Sequence, residues 1–197
     1  MLQKFKQQLY NSPLLNIVNI FIKKEINPNI LTLLGLISGL LLAYFIYKSK
    51  FIIALLLLFI SGFFDISDGW VARKTNRVTK FGSLLDTISD KYVEGFIGLS
   101  LAFIIPKFIL PGYFWVILAV FGSILISLIS NIGSALTEKE AFKLMARADR
   151  GGLLVIGLIL AKFLGIVYLT YTIIIMAVLT HLTVIILMIE YYKILKK

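Results

Sequence analysis

Long apolar stretches separated by short polar ones run along the chain, and their lengths predict its elements. Each is long enough, or nearly so, to cross a hydrocarbon layer of about 30 Å. Alternating strands of about ten residues are absent, and in lipid a helix satisfies its own backbone hydrogen bonds. We therefore expect an all-α protein with six transmembrane helices. The six windows are residues 28–48, 51–72, 82–105, 112–134, 151–166 and 168–190.

The fifth window is the shortest, and it meets the sixth at the tight join Gly165–Tyr168. A count of five spans, with these two windows merged, is therefore the alternative to six. We expect one membrane domain over residues 1–197, with the bundle at residues 27–197.

The first 26 residues are too short and too interrupted by polar residues to span a membrane, but apolar side chains recur there at helical spacing. This pattern predicts an amphipathic helix at residues 1–26 that lies in the membrane interface, with Lys23 and Lys24 toward the lipid headgroups. We expect no cleavable signal peptide, because no small-residue cleavage site follows a clean apolar core. The apolar positions are Leu14, Leu15, Val18, Phe21 and Ile22.

Composition strengthens the membrane assignment. Of the 197 residues, 59% are hydrophobic and 15% are charged, and the mean hydropathy is +0.96. These values indicate an integral, multi-pass membrane protein. The chain has no cysteine, so a disulfide framework and a thiolate metal site are both excluded.

Basic residues predict the orientation. With six spans, both termini lie on one side, and that side holds sixteen of the 20 Lys and Arg residues. By the positive-inside rule, the termini, the 73–80 connection and the 135–150 loop are cytoplasmic, in the cell membrane. The net charge of +10 then reflects topology and attraction to anionic membrane lipids. We expect no nucleic-acid partner, because no soluble domain is available to read a groove.

Four aspartates interrupt this apolar pattern. Asp65 and Asp68 are three residues apart at the end of the second window, and Asp86 and Asp90 are four apart at the start of the third. Each pair therefore shares one helix face. The polar 73–80 connection folds the two helix ends together, so all four carboxylates can converge. Placing a carboxylate inside the membrane costs free energy, so such a residue indicates a functional role by default.

Such a cluster needs positive charge. Mg²⁺ or Mn²⁺, most simply two ions, would be held by these oxygens while substrate phosphates complete the coordination shell. One alternative is that the acids lie at the interface and pair with Arg73, Lys74, Arg77 and Lys80. A cation transporter is the alternative of another functional class, but its acids would be expected near mid-membrane or on several spans.

The same stretch carries a motif of eight fixed positions. They are Asp65, Asp68, Gly69, Ala72, Arg73, Gly82, Asp86 and Asp90. At this spacing the motif resembles the signature of the CDP-alcohol phosphotransferase family, also called CDP-alcohol phosphatidyltransferases. The opening of the first span, "NPNILTLLGL" at residues 27–36, is similar to that family as well.

The resemblance implies that a CDP-linked lipid loses CMP while its phosphoryl group passes to the hydroxyl of a small polar alcohol. It implies that Asp65, Asp68 and Asp86 bind metal, and that Asp90 is the catalytic base and also touches the second ion. The implied CDP-binding residues are Asp65, Asp68, Gly69, Ala72, Arg73 and Gly82. Packing against a neighbouring helix is the alternative role for the two glycines.

The acceptor is indicated by basic residues of the 135–150 loop. They suit a phosphorylated acceptor, although an ordinary positive-inside excess is the alternative. "ARADRG" at residues 146–151 is similar to the inositol-phosphate-accepting branch of the family, which favours inositol 1-phosphate. Residues 130–136 lack that branch's basic residue, so glycerol 3-phosphate is the second candidate and serine the third. The basic residues of the 135–150 loop that would bind the acceptor are Lys139, Lys143, Arg147 and Arg150.

Two features stay open. The donor lipid carries either a diacylglycerol or an archaeol tail. Gly35 and Gly39 form a GxxxG pattern that serves either packing within the chain or a homodimer interface. We expect a homodimer.

Overall fold

The computed structural model describes residues 13–196, with side chains from Ile17 onward. Within that range the protein is all-α, as predicted, and contains seven helices. They are α1 (Pro13–Lys23), α2 (Pro28–Tyr47), α3 (Phe51–Lys74), α4 (Lys80–Ile104), α5 (Gly112–Thr137), α6 (Arg147–Phe163) and α7 (Ile166–Leu195).

Each of the six apolar windows corresponds to one helix, α2 to α7. The fifth and sixth windows do not merge, because α6 ends at Phe163 and Gly165 has a φ of 109° before α7 begins. Glycine adopts this backbone conformation without a steric penalty.

Four of the described helices are long and apolar enough to cross a membrane by length and composition, namely α2, α3, α5 and α7. The helix α4 does not qualify because Asp86, Asp90, Lys91 and Glu94 interrupt its apolar sequence, and α6 has 17 residues. The chain is therefore a multi-pass helical membrane protein by these four helices.

Contacts divide the chain into two compact units. Among the described residues, unit 1 comprises residues 13–40 and Leu57–Val93, and unit 2 comprises Leu41–Leu56 and residues 94–196. Unit 1 thus contains α1 and parts of α2, α3 and α4, including all four motif aspartates. Unit 2 contains α5, α6 and α7.

The core of unit 1 joins α1 to α2 and α3. Val18, Leu31 and Val71 are buried together, and Phe21 and Ile22 of α1 pack against them. After α1, Glu25 pairs with Arg77 at 3.6 Å. The interfacial position predicted for residues 1–26 stays a prediction, and residues 1–12 lie outside the described part, as do the side chains of Leu14 and Leu15.

The glycines of the GxxxG pattern lie against neighbouring helices of unit 1. A Cβ at Gly35 would lie 3.5 Å from the Phe64 side chain of α3, and one at Gly39 would overlap Val93 of α4. Gly35 and Gly39 therefore serve packing within the chain.

The core of unit 2 is centred on Tyr191 near the end of α7. It is buried with Ile126, Ala141, Met145 and Leu187. Its ring fills the space above Gly133 of α5, where a Cβ would overlap it. The Tyr191 hydroxyl donates to the Ser130 carbonyl at 3.3 Å. These contacts hold α5, α7 and the loop before α6 together.

Candidate metal centre

The connection between α3 and α4 is short and well ordered by its own hydrogen bonds. The Arg77 N–H donates to the Ala72 carbonyl at 2.9 Å, and Asn76 has a φ of 54°. Thr79 then caps α4, because its hydroxyl oxygen accepts the Gly82 N–H at 2.9 Å. The carboxylates of α3 and α4 are thereby fixed on adjoining helix ends.

Three of the four motif aspartates come together. One carboxylate oxygen from each of Asp65, Asp86 and Asp90 lies within 4.8 Å of the other two, and all three residues are half-buried. We call these residues the aspartate trio. Carboxylate oxygens are the donors that Mg²⁺ and Mn²⁺ prefer, and gathering like charges is favourable only when a cation offsets them. The trio therefore fits a hard divalent cation.

The fourth aspartate, Asp68, is held differently. It is 6% exposed. Its Oδ2 accepts a hydrogen bond of 2.6 Å from the Thr32 hydroxyl of α2, and its Oδ1 accepts the Gly69 N–H. The structure thus brings Asp65, Asp86 and Asp90 together and directs Asp68 toward α2.

The glycines of the motif are approached by side chains of the protein itself. A Cβ at Gly69 would lie 3.1 Å from Nη1 of Arg73, so the guanidinium lies against the helix backbone there. A Cβ at Gly82 would lie 3.0 Å from the Thr79 hydroxyl and 3.1 Å from the Asn29 side-chain oxygen. Arg73 is exposed and Ala72 is half-buried.

The predicted acceptor residues lie in unit 2. Arg150 is half-buried at the start of α6, whereas Arg147 is exposed. The Arg150 guanidinium donates to the Met145 carbonyl at 3.0 Å, and the negative charge of Glu94 stabilises it. Glu94 in turn accepts a hydrogen bond from the Ser123 hydroxyl. Lys139 is exposed and Lys143 is half-buried.

Two polar residues at these sites escaped the sequence analysis. Thr32 is 36 residues from Asp68, and no spacing rule connects a threonine on one helix with an aspartate on the next. Glu94 could have been found, because an acid within a window predicted to span the membrane is itself a functional signal.

Ser89 lies between Asp86 and Asp90 on α4. It is 5% exposed, and among the residues that the structure describes its hydroxyl is the buried side-chain oxygen without a hydrogen-bond partner. An unpaired buried hydroxyl is destabilising.

Comparison with known proteins gives a family match. A family model described as CDP-alcohol phosphatidyltransferase matches residues 25–189. One relative, the CDP-diacylglycerol–glycerol-3-phosphate 3-phosphatidyltransferase of Aquifex aeolicus, is 34% identical over 91 residues, which are 46% of this chain and 51% of the relative. Another, the archaetidylinositol phosphate synthase of Pyrococcus horikoshii, is 34% identical over 102 residues, which are 52% of this chain and 54% of the relative. The chain spans about half the length of these curated relatives.

Solved structures share the fold. The crystal structure of Mycobacterium tuberculosis phosphatidylinositol phosphate synthase with CDP-DAG bound has a TM-score of 0.80 and 19% identity, covering 91% of this chain and 94% of that one. The same protein in complex with manganese and citrate gives 0.77 and 20%, covering 90% of this chain and 88% of that one. At this identity the likeness shows the fold alone.

Proposed function

Since the chain belongs to the CDP-alcohol phosphatidyltransferase family, we propose that it acts in phospholipid synthesis. It takes the lipid-bearing phosphoryl group of a CDP-linked lipid and transfers it to the hydroxyl of a small polar alcohol. The acceptor oxygen forms a bond to the lipid-bearing phosphorus, and the bond from that phosphorus to the CMP oxygen breaks. The acceptor hydroxyl loses its proton, and CMP leaves. The observation that carries the proposal is the aspartate trio, which occupies three positions of the family motif.

The trio residues Asp65, Asp86 and Asp90 are proposed to hold Mg²⁺ or Mn²⁺, with Asp68 as a further ligand and two ions in all. A divalent cation at phosphates offsets the charge that develops on the transferring group. The mycobacterial protein of the same fold has been crystallised in complex with manganese, and this supports the proposal of such an ion here.

Asp90 is proposed as the base. It lies one helical turn beyond Asp86 and is half-buried, so as a member of the trio it would contact a cation with one oxygen and reach an acceptor hydroxyl with the other. A carboxylate in this position accepts the proton as the new phosphorus–oxygen bond forms.

The CDP group is proposed to bind at the motif residues Asp65, Asp68, Gly69, Ala72, Arg73 and Gly82. Arg73 suits a diphosphate because its planar guanidinium donates two parallel hydrogen bonds to phosphate oxygens. Its exposed position against Gly69 leaves the guanidinium available for this contact.

The acceptor is proposed to be inositol 1-phosphate, with glycerol 3-phosphate as the second candidate and serine as the third. The acceptor's phosphate would be bound by Lys139, Lys143, Arg147 and Arg150. The two relatives reported above are named for an inositol phosphate product and for glycerol 3-phosphate respectively, so the similarity favours neither acceptor.

In the membrane, α4 and α6 are proposed to cross together with α2, α3, α5 and α7. With 25 residues, α4 extends about 37 Å, and the 17 residues of α6 extend about 25 Å. Both lengths suit a hydrocarbon layer of about 30 Å with small adjustments. We propose further that α1 lies in the interface, that both termini and the active site are cytoplasmic, and that the protein is a homodimer.

CMP release tests this function. Purified protein in detergent would receive Mg²⁺, a CDP-linked diacylglycerol or archaeol lipid, and one of the three acceptors. We expect CMP release that depends on one acceptor and stops with EDTA. The absence of CMP with all acceptors, both lipids and Mn²⁺ as well would contradict the proposal and favour a cation transporter.

A further inference from the structure

The contact between Thr32 and Asp68 connects the motif helix α3 to α2. Thr32 is 6% exposed and so is Asp68, and the hydroxyl oxygen lies 2.6 Å from Asp68 Oδ2. The same hydroxyl is 3.3 Å from the Pro28 carbonyl of its own helix. The shorter contact is to the carboxylate, and a hydrogen bond to an ionised acceptor is the stronger of the two.

Other buried hydroxyls of unit 1 behave differently. Ser38 and Ser67 each donate at 2.6 Å to the carbonyl four residues earlier on their own helix. That contact is the usual way to satisfy a hydroxyl inside an apolar helix. Thr32 instead reaches a charged side chain on another helix.

The start of α2 holds the backbone around Thr32 in one conformation. Asn27 caps the helix, because its side-chain oxygen accepts the Asn29 N–H at 3.0 Å, and the buried Pro28 occupies the first helical position. Leu31, next to Thr32, is 1% exposed in the unit 1 core. A side chain on so constrained a turn can hold its partner in one orientation.

We propose that Thr32 is a positioning residue for Asp68. Thr32 and the Gly69 N–H occupy one lone pair on each Asp68 oxygen, and each oxygen keeps another for a ligand. The ligand class is a divalent cation with a cytidine diphosphate group. This inference rests on the proposed function and assigns a role to a residue of α2, outside the motif of α3 and α4.

Binding of Mn²⁺ in the presence of CDP tests the role of Thr32, with free Mn²⁺ measured by electron paramagnetic resonance. Thr32→Val keeps the shape of the side chain and removes the hydroxyl. We expect about tenfold weaker binding, as is found when hydrogen-bond partners of metal ligands are removed. Thr32→Ser restores the hydroxyl and should return the affinity to within about twofold of wild type.

Ser61→Ala is the matched control. The Ser61 hydroxyl donates to the Gly35 carbonyl at 3.0 Å, so it also joins α3 to α2 but donates to a backbone carbonyl and not to an aspartate. We expect Ser61→Ala to bind Mn²⁺ as the wild type does. An equal loss in Ser61→Ala and Thr32→Val would overturn the proposal, because Thr32 would then act only through helix packing.

If Thr32→Val folds poorly, Thr32→Ala replaces it. A double-mutant comparison then tests whether Thr32 acts through Asp68. In an Asp68→Asn background, the loss caused by either Thr32 variant should largely disappear, because Thr32 acts through Asp68. A full additional loss would overturn the proposal. If the wild type bound no Mn²⁺, the proposed function would fail together with this inference, whereas a wild type and Thr32→Val of equal affinity would refute the inference alone.

Discussion

Unit 1 and unit 2 hold their acidic side chains in different ways. In unit 1, Asp65, Asp86 and Asp90 each bring a carboxylate oxygen within 4.8 Å of the other two. In unit 2, Glu94 interacts with the opposite charge of Arg150 and accepts a hydrogen bond from the Ser123 hydroxyl. Gathered like charges do not stabilise a fold unless a cation offsets them, so we expect the metal-dependent step at unit 1, whereas Glu94 is held by partners within unit 2.

The largest difference between the units should appear in activity. Asp90→Asn removes the base and one trio carboxylate while keeping the size of the side chain. We expect CMP release to fall by at least about a hundredfold, since a positioned base contributes about that much or more. Initial rates of CMP formation, measured at equal amounts of folded protein, provide the check.

Glu190→Gln in unit 2 is the matched control for that experiment. Glu190 accepts the Phe142 N–H at 2.8 Å, and a glutamine oxygen can accept the same hydrogen bond. We expect its CMP release to stay near the wild-type rate. Unchanged release by Asp90→Asn would contradict the assignment of the chemistry to unit 1.

A substitution in unit 2 should affect stability more than chemistry. A Cβ at Gly133 would overlap the Tyr191 ring, and Tyr191 is buried with a hydrogen-bonded hydroxyl. We expect Gly133→Ala to lower the free energy of unfolding by about 1–3 kcal/mol, the usual effect of overpacking. Thermal unfolding in detergent measures this change.

Gly95→Ala is the control for the packing effect, because a Cβ at Gly95 meets no atom within 4 Å. Alanine is also a better helix former than glycine, so no loss of stability is expected. Equal destabilisation by both variants would show that the Tyr191 contact does not matter for unit 2.

The smallest expected effect concerns two buried serines of unit 1. The Ser67 hydroxyl donates to the Phe63 carbonyl at 2.6 Å, whereas the Ser89 hydroxyl has no partner among the described residues. Ser67→Ala should cost about 1 kcal/mol, and Ser89→Ala should be neutral or stabilising, because it removes an unpaired polar group. The melting temperatures of the two variants measure this difference. A lower melting temperature for Ser89→Ala than for Ser67→Ala would contradict the reasoning.

The sequence was sufficient for the helices and for most of the carboxylate cluster. Apolar windows predicted all six long helices, and the pairs at residues 65/68 and 86/90 predicted that four carboxylates converge, of which Asp65, Asp86 and Asp90 come together. Spacing could not show that Asp68 is directed to Thr32, because that contact depends on how α2 packs against α3. For the same reason, the sequence left Gly35 and Gly39 open between packing and a dimer interface.

Binding of Mn²⁺ to wild-type protein and to Asp86→Asn tests the central claim most directly, that the aspartates of unit 1 form a divalent-cation site. We predict saturable binding by the wild type, at least about tenfold weaker binding by Asp86→Asn, and wild-type binding by Glu190→Gln. Equal affinity of the wild type and Asp86→Asn would contradict the account.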